Sequence, residues 1–266
     1  MQKRHADRQN YFQEQILVTE KYVLPYIENT INISGEMTVA EIGCGEGGNL
    51  KPFLDLGWHI VGIDIAENKI ENAREYYSSH PGKANARFIA EDIYNLRPED
   101  TGRFDLIIMR DTIEHIPHQE RFLGMLKNFL KPDGRIFFAF PPWRMPFGGH
   151  QQICENKFLS LMPYIHLLPK SLYKSVLKLF GESNAKIRAL QEIKDTGISI
   201  SRFKSYLKRN NYQIEKETCY LINPNYEIKF KLKVRKLPVI INVPHLSDFY
   251  TTAYYCMVRV LPVSNE

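Results

Sequence analysis

Short apolar runs and helical stretches alternate along this chain. Residues 9–30 place Tyr11, Phe12, Ile16, Leu17 and Val23 at helical spacing and predict an opening helix. Residues 37–42 predict a first strand, and 47–56 the helix after it. Residues 58–63 predict a second strand ending at Asp64, followed by a helix over 66–77 with Ile70, Ala73 and Tyr77 inward. A short strand at 87–89 precedes Glu91-Asp92-Ile93. Residues 104–109 predict a fourth strand, apolar throughout except at Asp105, the pattern of a strand buried on both faces. A helix over 119–130 is stopped by Lys131-Pro132-Asp133-Gly134. A fifth strand at 136–140 is cut off by Pro141-Pro142. Five strands joined by helices predict a parallel, doubly wound α/β sheet.

The rhythm then breaks. Residues 151–195 read as short helices separated by Pro163 and Pro169. Leu172, Val176, Leu177 and Phe180 form an amphipathic face, with Lys170, Lys174 and Lys178 opposite. This predicts an inserted helical cap. A mobile lid is its sharper form, and weak contact with a membrane surface is another use of the same face. Residues 201–210 predict a helix and 212–222 a strand. Residues 226–235 alternate strictly, with Tyr226, Ile228, Phe230, Leu232 and Val234 on one side and Glu227, Lys229, Lys231, Lys233 and Arg235 on the other. They predict a half-buried strand whose basic side protects an edge or attracts an acidic partner. A last strand is expected at 249–261. The expected organisation is a helix and cofactor-binding core at 1–150, a cap at 151–197, and a helix and strands completing the sheet at 198–266.

Composition changes this picture little. The 266 residues are 44% hydrophobic and 24% charged, as in an ordinary globular chain. The net charge of +5 does not call for nucleic acid, although it would suit an anionic substrate. No basic, aromatic-interleaved nucleic-acid module is visible. Cys44, Cys154, Cys219 and Cys256 lie far apart without metal-ligand spacing, and read as free thiols of a reducing compartment. Met1-Gln2-Lys3-Arg4 opens a polar N-terminus without the apolar core of a signal peptide. No run reaches the about 18 apolar residues of a membrane span. The expected location is the cytoplasm.

The chemistry concentrates at Val39-Ala40-Glu41-Ile42-Gly43-Cys44-Gly45-Glu46-Gly47-Gly48. An apolar run ends in an acid, and glycines at alternate positions permit a tight turn with no Cβ against a ligand. A helix starting there would aim free N–H groups into the turn. Gly43, Gly45 and Gly48 also satisfy the G-x-G-x-x-G pattern of dinucleotide binding, so the loop alone does not choose a cofactor.

Four further segments do so together, although the first, an acid ending strand 2, also suits NAD enzymes and does not discriminate by itself. Val61-Gly62-Ile63-Asp64-Ile65 ends strand 2 in an acid, and Ala90-Glu91-Asp92-Ile93 follows strand 3. Phe104-Asp105-Leu106-Ile107-Ile108-Met109-Arg110-Asp111 leads into Ile113-Glu114-His115-Ile116. Lys131-Pro132-Asp133-Gly134 precedes strand 5, with Asp133 where the pattern has a glycine. With the E-x-G-x-G-x-G loop, these resemble the class I S-adenosylmethionine-dependent methyltransferases, most clearly over residues 37–140. The resemblance implies a Rossmann-like, mostly parallel seven-stranded sheet with a cap after strand 5. It implies S-adenosylmethionine as cofactor, held by Glu41, Gly43, Cys44, Gly45, Gly47, Asp64, Ile65, Asp92, Ile93, Arg110 and Asp111. Asp64 would take the ribose hydroxyls and Asp92 the adenine amino group. Cys44 fits a small loop filler better than a nucleophile, and Asp105 an orienting residue of strand 4.

The implied reaction is methyl transfer to a small-molecule or lipid- or sugar-linked acceptor, at oxygen. An NAD(P)-dependent oxidoreductase is the alternative, against which Glu91-Asp92-Ile93 argues. A non-catalytic nucleotide-binding scaffold is the other. A hydroxyl acceptor benefits from a general base. His150 is the first candidate, because it follows strand 5 and two glycines, Gly148 and Gly149, would let backbone and ligand approach. It fits equally a structural histidine tying the cap to the core. His115 is the second candidate. Tyr11 and Phe12 would close over the cofactor or merely pack. No metal is expected: Asp111 and Glu114 are present after strand 4, but strand 5 ends in Phe140-Pro141-Pro142 without an acid or amide.

Overall fold

The computed structural model describes residues 8–32 and 35–262. The polar N-terminal segment at 1–7 lies outside them. Helix α1 (Arg8–Val18) runs through a π-helical turn (Thr19–Val23) into α2 (Leu24–Glu28). Pro25 has no N–H to give the preceding turn, and the ladder widens there. The wide turn presents Thr19 to the interior, fully buried.

The core elements follow in order: β1 (Thr38–Ile42), α3 (Lys51–Asp55), β2 (His59–Asp64), α4 (Glu67–Tyr77), β3 (Ala86–Ala90), α5 (Pro98–Thr101), β4 (Phe104–Arg110), α6 (Gln119–Leu126) and β5 (Leu130–Phe140). Helices α7 (Lys157–Leu161), α8 (Lys170–Leu179) and α9 (Asn184–Thr196) occupy the predicted cap. Then come α10 (Ile200–Arg209), β6 (Tyr212–Ile222), α11 (Pro224–Phe230), β7 (Arg235–Lys236) and β8 (Ala253–Val260).

Among the described residues the sheet has eight strands, in the order β3-β2-β1-β4-β5-β8-β6-β7, rather than the seven expected. Strands β1 to β5 are mutually parallel, and β8 runs antiparallel to both β5 and β6. The doubly wound expectation therefore holds. Alternate residues of β4 serve opposite faces. Ile107 and Met109 join Phe122 and Leu126 of α6 and Phe203 and Leu207 of α10. Leu106 and Ile108 join Phe12 and Ile16 of α1, Tyr26 and Ile27 of α2, and Ile70 of α4. A strand buried on both faces must read as a near-continuous apolar run, which is why β4 was legible.

Three elements differ from expectation. The helix after the glycine loop begins at Lys51, because Gly47 sits at φ +79°, outside the helical region, and turns occupy the residues up to Leu50. Strand β5 starts early, at Leu130, since Gly134 lets the chain pass beside Phe104 O, only 2.8 Å from where a Cβ would stand. The first half of the alternating segment at 226–235 lies in helix α11, which ends at Phe230. Asn223 caps it by accepting from Asn225 N, and Pro224 occupies its first turn. A capped start with proline at the first position outweighs five apolar alternations. Only Arg235–Lys236 remains as an edge strand against β6.

The cap has its own core of Cys154, Leu159, Ile165, Tyr173, Leu177, Ile187 and Leu190. It docks on the segment after β5 through Trp143 N donating to Ile198 O and the His166 Nε2 contact with Trp143 O at 2.7 Å.

If Asn223 starts a helix, Asn223→Ala removes its cap and should cost about 1 kcal/mol. Thermal melts should show Tm falling by roughly 2–4 °C. An unchanged Tm would remove the capping role.

Candidate active site

A cavity of about 380 Å³ opens at the C-terminal ends of β1, β2, β3 and β4. Open α/β sheets bind ligands at this edge. Gly43, Asp64, Ile65, Asp92, Ile93 and Asp111 line it, as the sequence suggested. Ile65 is 73% exposed, an apolar side chain held at the cavity mouth. Asp92 accepts from Tyr94 N at 2.9 Å and so caps the short turn that presents Ile93.

Asp64 organises the loop. Its Oδ2 accepts from Gly45 N at 2.9 Å and its Oδ1 from Ala66 N at 2.8 Å. A carboxylate has about four acceptor positions, so two backbone bonds fix its orientation and leave capacity for a ligand. Gly43 sits at φ +74°, and a Cβ there would stand 2.5 Å from Thr112 Cγ2. Position 43 therefore excludes every side chain on both counts.

The other loop candidates build the site without lining the cavity. Gly45 contributes its N–H to Asp64. Gly47 packs on Phe88, and its carbonyl accepts from Tyr77 Oη at 2.7 Å. The Cys44 thiol is buried in the loop, which agrees with a filler. Glu41 is fully buried and accepts from Asn49 Nδ2 beneath the loop. Asp105 accepts from Thr38 N and from Lys131 Nζ, and so orients β4 as expected.

Arg110 departs from the expected cofactor contact. Its guanidinium is buried and donates to Asn49 Oδ1 at 2.6 Å, to Thr19 Oγ1 at 3.4 Å and to Asn225 Oδ1. It ties the π turn, the glycine loop and α11 into one wall. Tyr11 lies beside the same wall. Its phenol is pushed up to about 12, by burial first and then by the Asp111 carboxylate. Phe12 packs on Tyr76 and Tyr77, with ring centroids 4.8 and 6.0 Å away.

The two histidines meet beside the cavity, although His150 is not among its lining residues. His115 lines it, and the His150 ring stands edge-on to it with centroids 5.0 Å apart. The glycines before His150 serve packing rather than approach of a ligand. A Cβ on Gly148 would stand 2.3 Å from Trp143 O, and one on Gly149 2.2 Å from His166 Cβ. Burial, reinforced by His115 and His166, holds the His150 imidazole down at about 4. It is therefore neutral across the physiological range.

Sequence reasoning passed over Lys69, Tyr94 and Thr112, which line the cavity, and it considered Glu114 only as a metal-holding acid beside Asp111 and set that aside. Glu114 is 4% exposed, and neither carboxylate oxygen has a hydrogen-bond partner. Burial and Asp111 raise its carboxyl well above the ordinary range. Glu114, His115 and His150 each offer one ligand atom, all within 4.8 Å of one another, a donor set able to hold a divalent ion. The expectation of no metal missed this because the three come from two separate loops. Tyr212 and Lys216 have the Tyr-x-x-x-Lys spacing of one oxidoreductase class but stand on β6, where Tyr212 Oη donates to Leu123 O and Lys216 Nζ to Tyr26 O.

A doubly wound sheet with a glycine loop after β1 and acids after β2 and β3 defines the nucleotide-cofactor class of α/β proteins. Solved structures share this fold. The chain matches a sarcosine dimethylglycine methyltransferase, described as putative, from Galdieria sulphuraria with a TM-score of 0.58 at 14% identity, covering 91% of this chain and 85% of that one. It matches the plantazolicin methyltransferase BpumL, solved with SAH, with a TM-score of 0.55 at 15% identity, covering 95% and 86%. The chain belongs to the methyltransferase-domain family, whose model matches residues 20–181. Its relatives include ubiquinone biosynthesis O-methyltransferases. That of Coxiella burnetii is 29% identical over 116 residues, 44% of this chain and 48% of the relative. That of Glaesserella parasuis is 31% identical over 118 residues, 44% and 50%. The chain thus spans about half the length of the curated relatives it matches.

Burial raises Glu41 to about 8, against the opposing hydrogen bond from Asn49 and the Arg110 charge. The folded state then keeps a proton that the unfolded chain loses at ordinary carboxylate pH. Stability should fall as pH rises from about 5 to about 8. Glu41→Gln should flatten that fall in Tm measured across the interval. An equal slope in both proteins would show that Glu41 is not the titrating group.

Proposed function

We propose that this chain is an S-adenosylmethionine-dependent methyltransferase that modifies a hydroxyl of a small-molecule or lipid- or sugar-linked acceptor. The observation that carries the reading is the cavity itself. Asp64, Asp92 and His115 all line it, and His150 packs against His115 from outside the lining. The neighbours solved with SAH and the O-methyltransferase names of the relatives support it.

When bound, S-adenosylmethionine supplies a sulfonium whose methyl group is ready for transfer. The protein's part is to hold, orient and take a proton. Asp64, fixed by Gly45 and Ala66, accepts from the ribose hydroxyls, and Asp92 and Ile93 meet the adenine. Ile65 covers the cavity mouth. His150, neutral at physiological pH, would accept the acceptor's hydroxyl proton at a ring nitrogen. Its low pKa makes it a weak base but one always available, so catalysis leans on positioning. The helices at 151–197 close the acceptor side.

A second reading is favoured by the unpartnered carboxylate of Glu114. With His115 and His150 it would hold a divalent ion, which polarises the acceptor hydroxyl in place of a free base.

Asp64→Ala should weaken S-adenosylmethionine binding by roughly ten- to hundredfold, because charge-assisted hydrogen bonds are lost. Calorimetry finding equal affinity would remove Asp64 from the cofactor site. His150→Ala should leave that affinity intact and lower turnover by about 10²–10⁴-fold. In the wild type, the imidazole should add no rising limb to the pH–rate profile above about 5, since its pKa is about 4. A chelator separates the readings. If EDTA leaves turnover unchanged, His150 acts as the free base. If EDTA abolishes turnover, Mn²⁺ restores it and Glu114→Gln cannot be rescued, the three side chains bind metal. Near-normal turnover in His150→Ala would overturn both.

A further inference from the structure

Beyond the cavity, the outer edge of the sheet carries a feature that methyl transfer does not use. The chain leaves α11 at Lys231, forms the short edge strand β7, and turns through Pro238 to Pro244 before returning to the core at Ser247. Val239 is 91% exposed and Ile240 87%, with Ile241, Val243 and Leu246 also exposed. These side chains are not on a loose strand. Leu237 is buried and donates its N–H to Cys219 O at 2.8 Å. Tyr250 Oη donates to Ile241 O at 2.6 Å, and Val239–Ile241 forms a 3-10 turn. An anchored turn between two prolines thus holds aliphatic side chains out in water, an arrangement that marks an interaction site.

The charge around the turn is one-sided. Lys231, Lys233, Arg235 and Lys236 lead into it, all exposed and none in an ion pair with a described residue. No acid occurs between Glu227 and Asp248. Glu227 is taken by Lys21 and Tyr22, and Asp248 is buried. The acids of β6 are also occupied, Glu215 by Arg135 and Arg259 and Glu217 by Lys204. The cations therefore have no neutralising partner within their own face.

We propose that residues 231–246 dock this protein on an anionic lipid surface, with Val239 and Ile240 entering the acyl boundary and Lys231, Lys233, Arg235 and Lys236 meeting the headgroups. Aliphatic side chains beside unpaired cations match both layers of such a surface. A second copy fits worse, since a two-fold contact on this patch would bring the same cations together. No helix among the described residues is long and apolar enough to cross a membrane. The surface differs from the cap face considered from sequence, of which Leu172 and Phe180 are exposed; Leu161 and Leu179 are the most exposed leucines of that helical segment. It is also independent of the proposed chemistry.

Co-sedimentation with vesicles tests the proposal. Wild type should bind phosphatidylcholine–phosphatidylglycerol vesicles, bind pure phosphatidylcholine far less, and release as salt rises. Val239→Ser with Ile240→Ser should lower partitioning by roughly tenfold or more per side chain. Replacing the four cations by Gln should cost about fivefold per charge. Leu161→Ser with Leu179→Ser should leave binding unchanged. All these positions are exposed, and unchanged circular dichroism and Tm would establish that the variants fold. Failure of wild type to bind the anionic vesicles would overturn the proposal, as would equal binding by the Val239/Ile240 variant. Loss of binding only in the cap variant would move the contact to the cap. Light scattering that shows a wild-type dimer, dissolved by Val239→Ser with Ile240→Ser, would make the patch an interface between copies instead.

Discussion

The site depends on one carboxylate held by two backbone N–H groups. Asp64 ends β2, and its bonds to Gly45 N and Ala66 N fix the glycine loop against the neighbouring strand. The loop turns there because Gly43, Gly45 and Gly47 all take positive φ. At Gly43 the Thr112 side chain fills the space a Cβ would need. The loop, the end of β2 and the segment after β4 are therefore set relative to one another before any ligand arrives. Such pre-organisation lets modest groups hold a cofactor firmly.

Behind the loop stands a buried polar wall. Arg110 joins Thr19, Asn49 and Asn225, which lie on the π turn, the glycine loop and α11. Asn49 in turn donates to the buried Glu41. A buried charge is tolerated only when its donors are satisfied, and this one is satisfied by segments far apart in the chain. The wall explains why an N-terminal helix and a helix near the C-terminus both belong to the site.

Much of this was legible in the sequence. The near-continuous apolar run of β4, the glycines after β1 and the acids after β2 and β3 each carry a physical requirement that few other residues meet. A parallel, doubly wound arrangement of five strands followed from their alternation with helices. Most of what escaped was non-local. Arg110 looked like a ligand because it follows a strand, but its partners lie 61 and 115 residues away. Gly148 and Gly149 looked like a ligand approach, whereas Trp143 and His166 crowd them. Residues 226–235 alternate like a strand, yet the signal that decided their structure was the Asn223-Pro224 cap just before them. Glu114 became conspicuous only when burial left both its oxygens without partners beside two imidazoles.

The central claim is that the cavity between the glycine loop and the two histidines receives S-adenosylmethionine. A crystal structure of the protein grown with S-adenosylhomocysteine tests it most directly. The expected result is one molecule in this cavity, with both ribose hydroxyls on the Asp64 carboxylate, adenine beside Asp92 and Ile93, and the sulfur directed toward the His115–His150 pair. Density for the ligand elsewhere, or in the cavity without contact to Asp64, would contradict it.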